Sequence, residues 1–427
     1  MALTLQRSIS WTLFGRGIYA VCQWLMLLVL ARLGGTAAVG CYALALAVTA
    51  PVVLFCNLSL RNIQATDADE AHAYADYLAV RAWTTALALL AIGGILVIVD
   101  YPGETLVVIG LVALAKAFES MSDMVNGLAQ THRRLDLVAH STILRGVAGV
   151  AAMALGYWLS GRLVGAIAAM TAAWGAAYLF HDLAAERRLL AERPTAAAPG
   201  DPRLRRTRRL RLVWLALPMG FVALLISLNV NIPRYFIEAA FGEAALGTFA
   251  AMFYFVVIGS FVINSLGQAA LVDLAGHHAS GRRQAFFQLL ARILLAGLAL
   301  GSAGVLVSGL FGAQLLTLFY GEAFARDAEL FVWVMIVGGI SHAAAALSYG
   351  VVARRIFAGQ AALHAVVTAV NVGACVLWIG PHGVLGVLWA WSAALAVQIG
   401  ISVWLLVRRV APGSAETAIV APPIGPS

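Results

Sequence analysis

Three ionisable side chains follow one another at helical spacing in the fourth apolar run of this chain: Lys116, Glu119 and Asp123. Spacings of three and four residues place all three on one face of an α-helix. One interpretation is a lumen in which the lysine meets an anionic group and the two carboxylates titrate during transport. The other is a self-neutralising stripe that holds helices together. We favour the first, because ionisable groups deep in a bilayer are costly and mark substrate and ion pathways by default.

The second half of the chain supports this choice. Aligning HRR at residues 132–134 with ARR at residues 353–355 sets the two acids against Ile340 and Ala344. The corresponding helix of the second half therefore packs without carboxylates. Packing alone does not demand them.

Four arginines lie within or at the ends of other apolar runs: Arg16, Arg145 and Arg292 near predicted cytoplasmic ends, and Arg234 near a predicted outer end. Each arginine either extends its head group to the membrane interface or lines a polar cavity. Both interpretations stay open from the sequence.

The seventh apolar run carries Asn229 and Asn231 shortly before Pro233. A proline inside a helix frees a backbone carbonyl and bends the helix, and polar groups at such a bend commonly line a cavity. We therefore predict that both asparagines line a cavity. The alternative is an ordinary helix end, which proline also marks.

Several classes of chemistry are excluded by residues that the chain lacks. Lys116 is its single lysine and follows Ala115, so no G-K-[S/T] phosphate loop exists and a lysine Schiff base could form nowhere else. HExxH, paired CxxC and Gly-x-Ser-x-Gly patterns are absent, and the adjacent His277 and His278 do not face one ion from a regular helix. All four cysteines lie in apolar runs, as small buried hydrophobes do: Cys22, Cys41, Cys56 and Cys375. We predict no catalytic residue, no metal and no cofactor, and hence not an enzyme.

The composition indicates an integral membrane protein. Of 427 residues, 62% are hydrophobic and 11% charged, with a mean hydropathy of +0.89. A spanning helix needs about 20 apolar residues, and twelve runs qualify in order: 11–33, 39–58, 82–99, 105–128, 142–160, 163–183, 212–237, 246–266, 286–306, 328–351, 360–379 and 384–407. Apolar sequence continues past the ninth run and suggests an extra interfacial turn. The first run is too long for a signal-peptide core and should remain as a span.

The charge distribution predicts the topology. With the N-terminus inside, cytoplasmic segments hold 20 of the 28 cationic residues, and outer segments together with the outer span ends hold 4. This asymmetry favours both termini in the cytoplasm. Residues 184–211 carry nine arginines and form a predicted flexible cytoplasmic linker near anionic lipid headgroups. Topology accounts for this charge, so we predict no nucleic-acid partner. Residues 410–427 resemble a disordered cytoplasmic tail.

A repeated motif indicates how the spans are arranged. Residues 35–43 read GTAAVGCYA, and residues 242–250, 207 positions later, read GEAALGTFA. Many secondary transporters are built from two such repeats that rock against each other around a central site. We predict an all-α protein of about twelve transmembrane helices in two six-helix bundles, residues 1–183 and 212–409, related by a pseudo-twofold repeat.

Several segments resemble one branch of a transporter superfamily: ARLGG (31–35), LSLRNIQATDA (58–68), FESMSDMVNGLAQTHRRLDLVAHSTILRG (118–146), LNVNIPRYFIE (228–238) and FYGEAFA (319–325). They are similar to the polysaccharide transporters of the multidrug/oligosaccharidyl-lipid/polysaccharide exporter superfamily. The resemblance covers nearly all of the membrane region. It implies a flippase for O-antigen or exopolysaccharide repeat units linked to undecaprenyl diphosphate, with alternating access and ion or proton coupling.

The resemblance also implies roles for individual residues. Cationic lumen residues would bind the headgroup: Arg16, Lys116, Arg145, Arg234 and Arg292. Glu119 and Asp123 would be the coupling groups. It further implies a bacterial cytoplasmic (inner) membrane, a lipid-linked oligosaccharide as substrate, a polysaccharide polymerase and its chain-length machinery as pathway partners, and a monomer.

Three rival functions stay in view. A small-molecule cation exporter of the same superfamily should have an acidic or aromatic-lined cavity, whereas the candidate lumen groups here are five cations and two acids. A peptidoglycan-precursor flippase typically has more spans. A membrane polysaccharide polymerase or ligase usually has a large outer loop, and the predicted outer loops here are short.

Overall fold

The computed structural model describes residues 5–67, 72–192, 202–354, 356 and 358–408. Within these ranges the chain is almost entirely α-helical and contains no β-strand. The helices are α1 (Leu5–Asn57), α2 (Leu60–Thr66), α3 (Tyr74–Ile98), α4 (Gly103–Thr131), α5 (Leu135–Ser160), α6 (Leu163–Ala176), α7 (Leu183–Glu192), α8 (Pro202–Ala279), α9 (Arg283–Phe319), α10 (Glu322–Ala325), α11 (Ala328–Ala353) and α12 (Ala358–Val407). A π-helical turn, Ala177–Asp182, joins α6 to α7.

The described helices supply twelve membrane spans. Nine helices within the described residues are long and apolar enough to cross a bilayer. Three of the nine, α1, α8 and α12, each contain one residue with a non-helical backbone: Gly35, Gly242 and Gly383. Each break separates two lengths that are both long enough to span, so nine helices give twelve spans, as predicted. The ninth span differs in detail, because α9 continues as one helix to Phe319 rather than ending before an interfacial turn.

Glycine is required at two of these breaks. The φ angle is +71° at Gly35 and +76° at Gly242, in the region that L side chains rarely adopt. Both glycines open a copy of the repeated motif, 207 positions apart. The repeat in sequence is therefore also a repeat in backbone conformation.

Large apolar side chains cover the outside of the helices. Trp83 is 76% exposed, Val97 87%, Phe180 80% and Val272 78%. A soluble protein rarely exposes apolar surface of this extent, whereas a bilayer matches it with hydrocarbon. Together with the twelve spans, this surface makes the chain an all-α, multi-pass membrane protein.

The helices group into two compact units. The first unit comprises Met1–Tyr254 and Ala313–Ala328, and the second comprises Phe255–Gly312 and Glu329–Ser427, each for its described residues. In the first unit the start of α8 packs into a buried cluster with α3 and α4, through Leu212, Tyr77 and Met124. The second unit has its own cluster, which includes Leu274 and Phe286. The division into bundles at residues 183 and 212 stays a prediction.

The arginine-rich segment between the halves is helical where it is described. Helix α7 runs to Glu192, and α8 begins at Pro202, a residue favoured in the first helical turn. Asp76 on α3 is fully buried and holds this start of α8, because Arg209 lies 3.1 Å and Arg208 3.7 Å from its carboxylate. A flexible linker is thus the wrong expectation for these parts. Residues 193–201 and the predicted tail, 410–427, lie outside the described residues, and the contact with anionic headgroups stays a prediction.

Candidate functional site

A polar cavity of about 580 Å³ lies within the first unit, between α1, α2, α4 and α5. Six charged side chains line it: Arg16, Arg61, Lys116, Glu119, Asp123 and Arg145. Four cations and two acids give the lining a formal charge of +2. A concave site of this size with convergent polar groups is the usual form of a small-ligand site.

Glu119 is the centre of the first charged cluster in the cavity. Its carboxylate accepts a hydrogen bond from Lys116 Nζ at 2.7 Å and another from the Tyr19 hydroxyl at 2.8 Å. Arg145 Nη2 lies 3.8 Å from the same carboxylate. The acid thus neutralises part of the charge of two cations while its side chain remains 25% exposed. We call Glu119, Lys116, Arg145 and Tyr19 the Glu119 cluster.

Arg145 has hydrogen-bonding capacity that its neighbours do not use. Its side chain is 7% exposed, and its Nε and Nη1 atoms have no hydrogen-bond partner among the described residues. The guanidinium lies 5.6 Å from the ring centroid of Tyr19 and 5.8 Å from that of Trp174. A buried donor without a partner is costly, and a guanidinium fork matches a phosphate geometrically. Arg145 is therefore suited to an anionic ligand.

Trp174 on α6 lies close to both cations of the Glu119 cluster. Lys116 Nζ lies 5.6 Å from the centroid of the Trp174 ring, and the Arg145 guanidinium lies 5.8 Å from the same centroid. Aromatic faces attract cations at such distances, more strongly when water is excluded. The indole, which is 2% exposed, thus helps to keep two positive charges inside the membrane region.

Asp123 is the centre of a second cluster, one helical turn further along α4. Arg61 on α2 lies 3.0 Å from its carboxylate, and Arg81 on α3 lies 3.4 Å away. Arg81 is fully buried and also donates to the Asn57 side chain. Both acids of the stripe therefore face the cavity with cations on neighbouring helices.

The geometry of these clusters suits a polar, anionic ligand, and a comparison with known proteins identifies the family. Residues 5–272 match the model of the family described as "Polysaccharide biosynthesis protein". The chain belongs to this family. A curated relative, the "Capsular polysaccharide biosynthesis protein CapF" of Staphylococcus aureus, is 27% identical over 308 residues, which cover 72% of this chain and 75% of the relative.

Solved structures confirm the fold of the chain. The lipid II flippase MurJ in an inward closed conformation is similar with a TM-score of 0.67 at 10% identity, covering 91% of this chain and 86% of that one. A MATE family multidrug transporter of the MOP superfamily, in an inward-facing conformation, has a TM-score of 0.64 at 15% identity, covering 95% and 93%. The MATE-like fold of that superfamily was predicted from the sequence.

The structure brings five of the nine predicted site residues of this family member to one cavity: Arg16, Lys116, Glu119, Asp123 and Arg145. The other four do not line it. Arg234, on α8, donates to Asn231 at 3.1 Å and lies 5.5 Å from the ring of Phe253. Asn229 and Asn231 are buried within α8, which continues through Pro233. Arg292 is an exposed residue of α9 in the second unit. The functional roles of all nine stay predictions.

Sequence reasoning missed Arg61 and Arg81. The charge rule for topology assigns both to cytoplasmic loops, because each lies at the edge of an apolar run. In the structure the side chains of both arginines form ion pairs with Asp123 inside the first unit. The available signal was the acid itself, since a buried carboxylate implies cations on a neighbouring helix.

Replacing Arg81 by methionine should destabilise the protein more than replacing Arg61 by methionine. Loss of Arg81 leaves the acceptor oxygens of Asn57 and Asp123 without a buried donor. This should lower the free energy of unfolding by about 1–3 kcal/mol. Arg61 is 25% exposed, so water can replace its bond to Asp123. Its loss should therefore lower the free energy of unfolding by about 1 kcal/mol or less. Unfolding of the two purified variants in one detergent measures the difference. Equal losses for both would contradict a structural role specific to Arg81.

Proposed function

We propose that this chain is a flippase for lipid-linked oligosaccharides. Its substrate would be a repeat unit on undecaprenyl diphosphate, moved from the inner to the outer leaflet for exopolysaccharide or O-antigen synthesis. The observation that carries this proposal is a cavity of formal charge +2 in which two buried donor atoms of Arg145 have no partner among the residues that the structure describes. Membership of the polysaccharide biosynthesis protein family and the name of the CapF relative support the same pathway.

The proposal assigns a simple physical task to the cavity. A diphosphate-sugar headgroup cannot enter hydrocarbon without losing its hydration, which is prohibitively costly for ionised groups. A wet cationic cavity that opens to one side at a time replaces that hydration. The lipid tail stays in the bilayer, and no covalent bond changes. Arg145, Lys116 and Arg16 would bind the phosphates, while Glu119 and Asp123 would couple the movement to an ion or a proton.

We place the protein in the cytoplasmic membrane of a bacterium with both termini in the cytoplasm. The distribution of arginines between the two sides supports this orientation. In this orientation the cavity residues Gln130 and Leu135, where α4 meets α5, lie at the cytoplasmic end.

Export of a small cationic molecule is a second candidate, because drug transporters share the fold. The cavity charge disfavours it. A cation entering this cavity meets four positive side chains against two acids that are already paired. An exporter of cations should have the opposite balance.

Deleting the gene from its host tests the proposal. Surface polysaccharide should disappear, and lipid-linked repeat units should accumulate on the inner leaflet of the cytoplasmic membrane. A plasmid copy of the wild type should restore export, which excludes effects on neighbouring genes. Normal surface polysaccharide in the deletion strain, or repeat units already on the outer leaflet, would overturn the proposal.

A further inference from the structure

The two copies of the repeated motif pack directly against each other in the first unit. An ideal Cβ on Gly40 would lie 1.7 Å from the carbonyl oxygen of Glu243, and one on Gly247 would lie 1.9 Å from the carbonyl oxygen of Thr36. The offset of 207 residues that relates the motifs converts Thr36 into Glu243 and Gly40 into Gly247. Each copy therefore presents a glycine to the same backbone position of the other copy. The contact is reciprocal, as a twofold relation between repeats requires.

No side chain fits at either glycine while this contact is formed. Both separations are far below the distance at which a carbon and an oxygen can pack, and the obstructing atoms belong to backbone rather than to flexible side chains. Small residues allow membrane helices to approach this closely. An alanine at position 40 or 247 must therefore push the helices of the two motifs apart.

Polar contacts surround the glycine crossing. Thr105 on α4 donates to the Glu243 carboxylate at 2.6 Å. Arg32, just before the first motif, donates from Nε to the carbonyl oxygen of Phe319 at 2.8 Å and from its Nη2 atom to that of Leu318, so it caps the end of α9. Trp24 donates to the Tyr320 hydroxyl at 2.9 Å. The bonds of Arg32 and Trp24 join segments that are 286 to 296 residues apart in the sequence.

The crossing and the cavity lie towards opposite ends of the spans. Gly35 and Gly242, which open the motifs, lie at the ends that the arginine distribution predicts to be external. The cavity is lined by Gln130 and Leu135 at the other end of α4 and α5. The crossing therefore lies on the side of the first unit away from the cavity.

We infer that the two copies of the motif form the outer gate of the transport cycle: they meet through Gly40 and Gly247 when the outer end is closed and separate when it opens. The inference rests on the proposed transport function. It treats the glycines as part of a bistable contact rather than as permanent close packing. Labelling of the wild type from outside separates these two interpretations, because a permanent contact keeps its buried residues covered.

Cys41 is a native reporter for the gate. It follows Gly40 directly, is 3% exposed, and lies 3.7 Å from the Thr105 hydroxyl beside the crossing. The other three cysteines, Cys22, Cys56 and Cys375, are changed to alanine so that only Cys41 reacts. A membrane-impermeant maleimide added to intact cells then measures how often the outer end opens.

Gly247→Ala should raise the labelling rate of Cys41 by roughly tenfold, because the closed state loses its contact and a minor open state gains population. Gly93→Ala is the matched control, since a Cβ at Gly93 has no atom within 4 Å, and it should label at the wild-type rate. Equal labelling of Gly247→Ala and Gly93→Ala, at equal amounts in the membrane, overturns the inference. A wild type whose Cys41 is not labelled at all overturns it too, since the contact would then be permanent.

Arg32→Gln provides a second variant if Gly247→Ala does not insert. It removes the bonds to the end of α9 without adding volume, and labelling of Cys41 should rise severalfold. Wild-type labelling of Arg32→Gln in that case overturns the inference. No substrate enters these measurements. Increased labelling in a protein that moves no lipid-linked sugar would contradict the proposed function and leave the gate in place.

Discussion

Arg145→Gln should weaken binding of a diphosphate by roughly ten- to hundredfold, because a hydrogen bond to a charged group contributes about 1.5–3 kcal/mol. The change removes the two unpartnered donors at Nε and Nη1 and lowers the formal charge of the cavity from +2 to +1. Calorimetric titration of the purified protein with a short-chain polyprenyl diphosphate measures the loss. In cells that lack the chromosomal gene, the same variant should fail to restore surface polysaccharide.

Two further variants make this result specific. Arg145→Lys keeps the charge but loses the planar fork, so its affinity should lie between those of the wild type and the glutamine variant. Arg282→Gln makes the same change at an exposed arginine outside the cavity and should bind as the wild type does. If Arg145→Gln and Arg282→Gln bind the probe equally well, then Arg145 is not part of a diphosphate site.

The sequence predicted the helical face of the site but not its partners. Helical spacing alone places Lys116, Glu119 and Asp123 together, because 3.6 residues per turn fixes that face. The 2.7 Å contact between Lys116 and Glu119 is the local consequence. Tyr19 and Arg145 reach Glu119 from α1 and α5, and their arrival depends on how helices far apart in sequence pack. No local pattern encodes such contacts.

The repeated motif shows the same limit. Its recurrence predicted duplicated halves, and its two glycines at +71° and +76° confirm that both copies bend alike. That the copies face each other through Gly40 and Gly247 is a property of the packed helices. Arg61 and Arg81 illustrate a further limit: the charge rule explains their positions in the sequence, and only the packed helices show that both also contact Asp123.

The two acids of the stripe differ in their surroundings, which suggests different tasks. Asp123 is held by Arg61 and by the fully buried Arg81, which has a second bond to Asn57. If the Asp123 carboxylate moved away or lost its charge, the buried Arg81 would have no counter-charge, which is strongly unfavourable. Glu119 instead lies 3.8 Å from Arg145, the residue suited to the ligand, and would compete with a phosphate for it under the proposed function. Glu119 is therefore the acid whose charge should be linked most directly to substrate binding.

Glu119→Gln should tighten binding of the diphosphate probe and slow export. Glutamine still accepts a hydrogen bond from Tyr19, but it releases the charges of Lys116 and Arg145 and raises the formal charge of the cavity from +2 to +3. A gain of roughly tenfold corresponds to about 1.4 kcal/mol, a fraction of the ~4 kcal/mol between unit charges 4 Å apart near a protein surface. Tighter binding without a competing carboxylate should hinder release. Calorimetry measures the first effect, and the amount of surface polysaccharide measures the second.

Opposite changes in binding and export distinguish this role from helix packing. A purely structural stripe predicts that Glu119→Gln alters the amount of folded protein and leaves both functions in proportion to it. Glu329→Gln, at an exposed acid of α11 outside the cavity, is the matched control and should change neither. If Glu119 takes up a proton in each cycle, flipping by the reconstituted wild type should depend on pH, and Glu119→Gln should flatten that dependence. Full export by Glu119→Gln with unchanged affinity would show that the stripe only holds helices together.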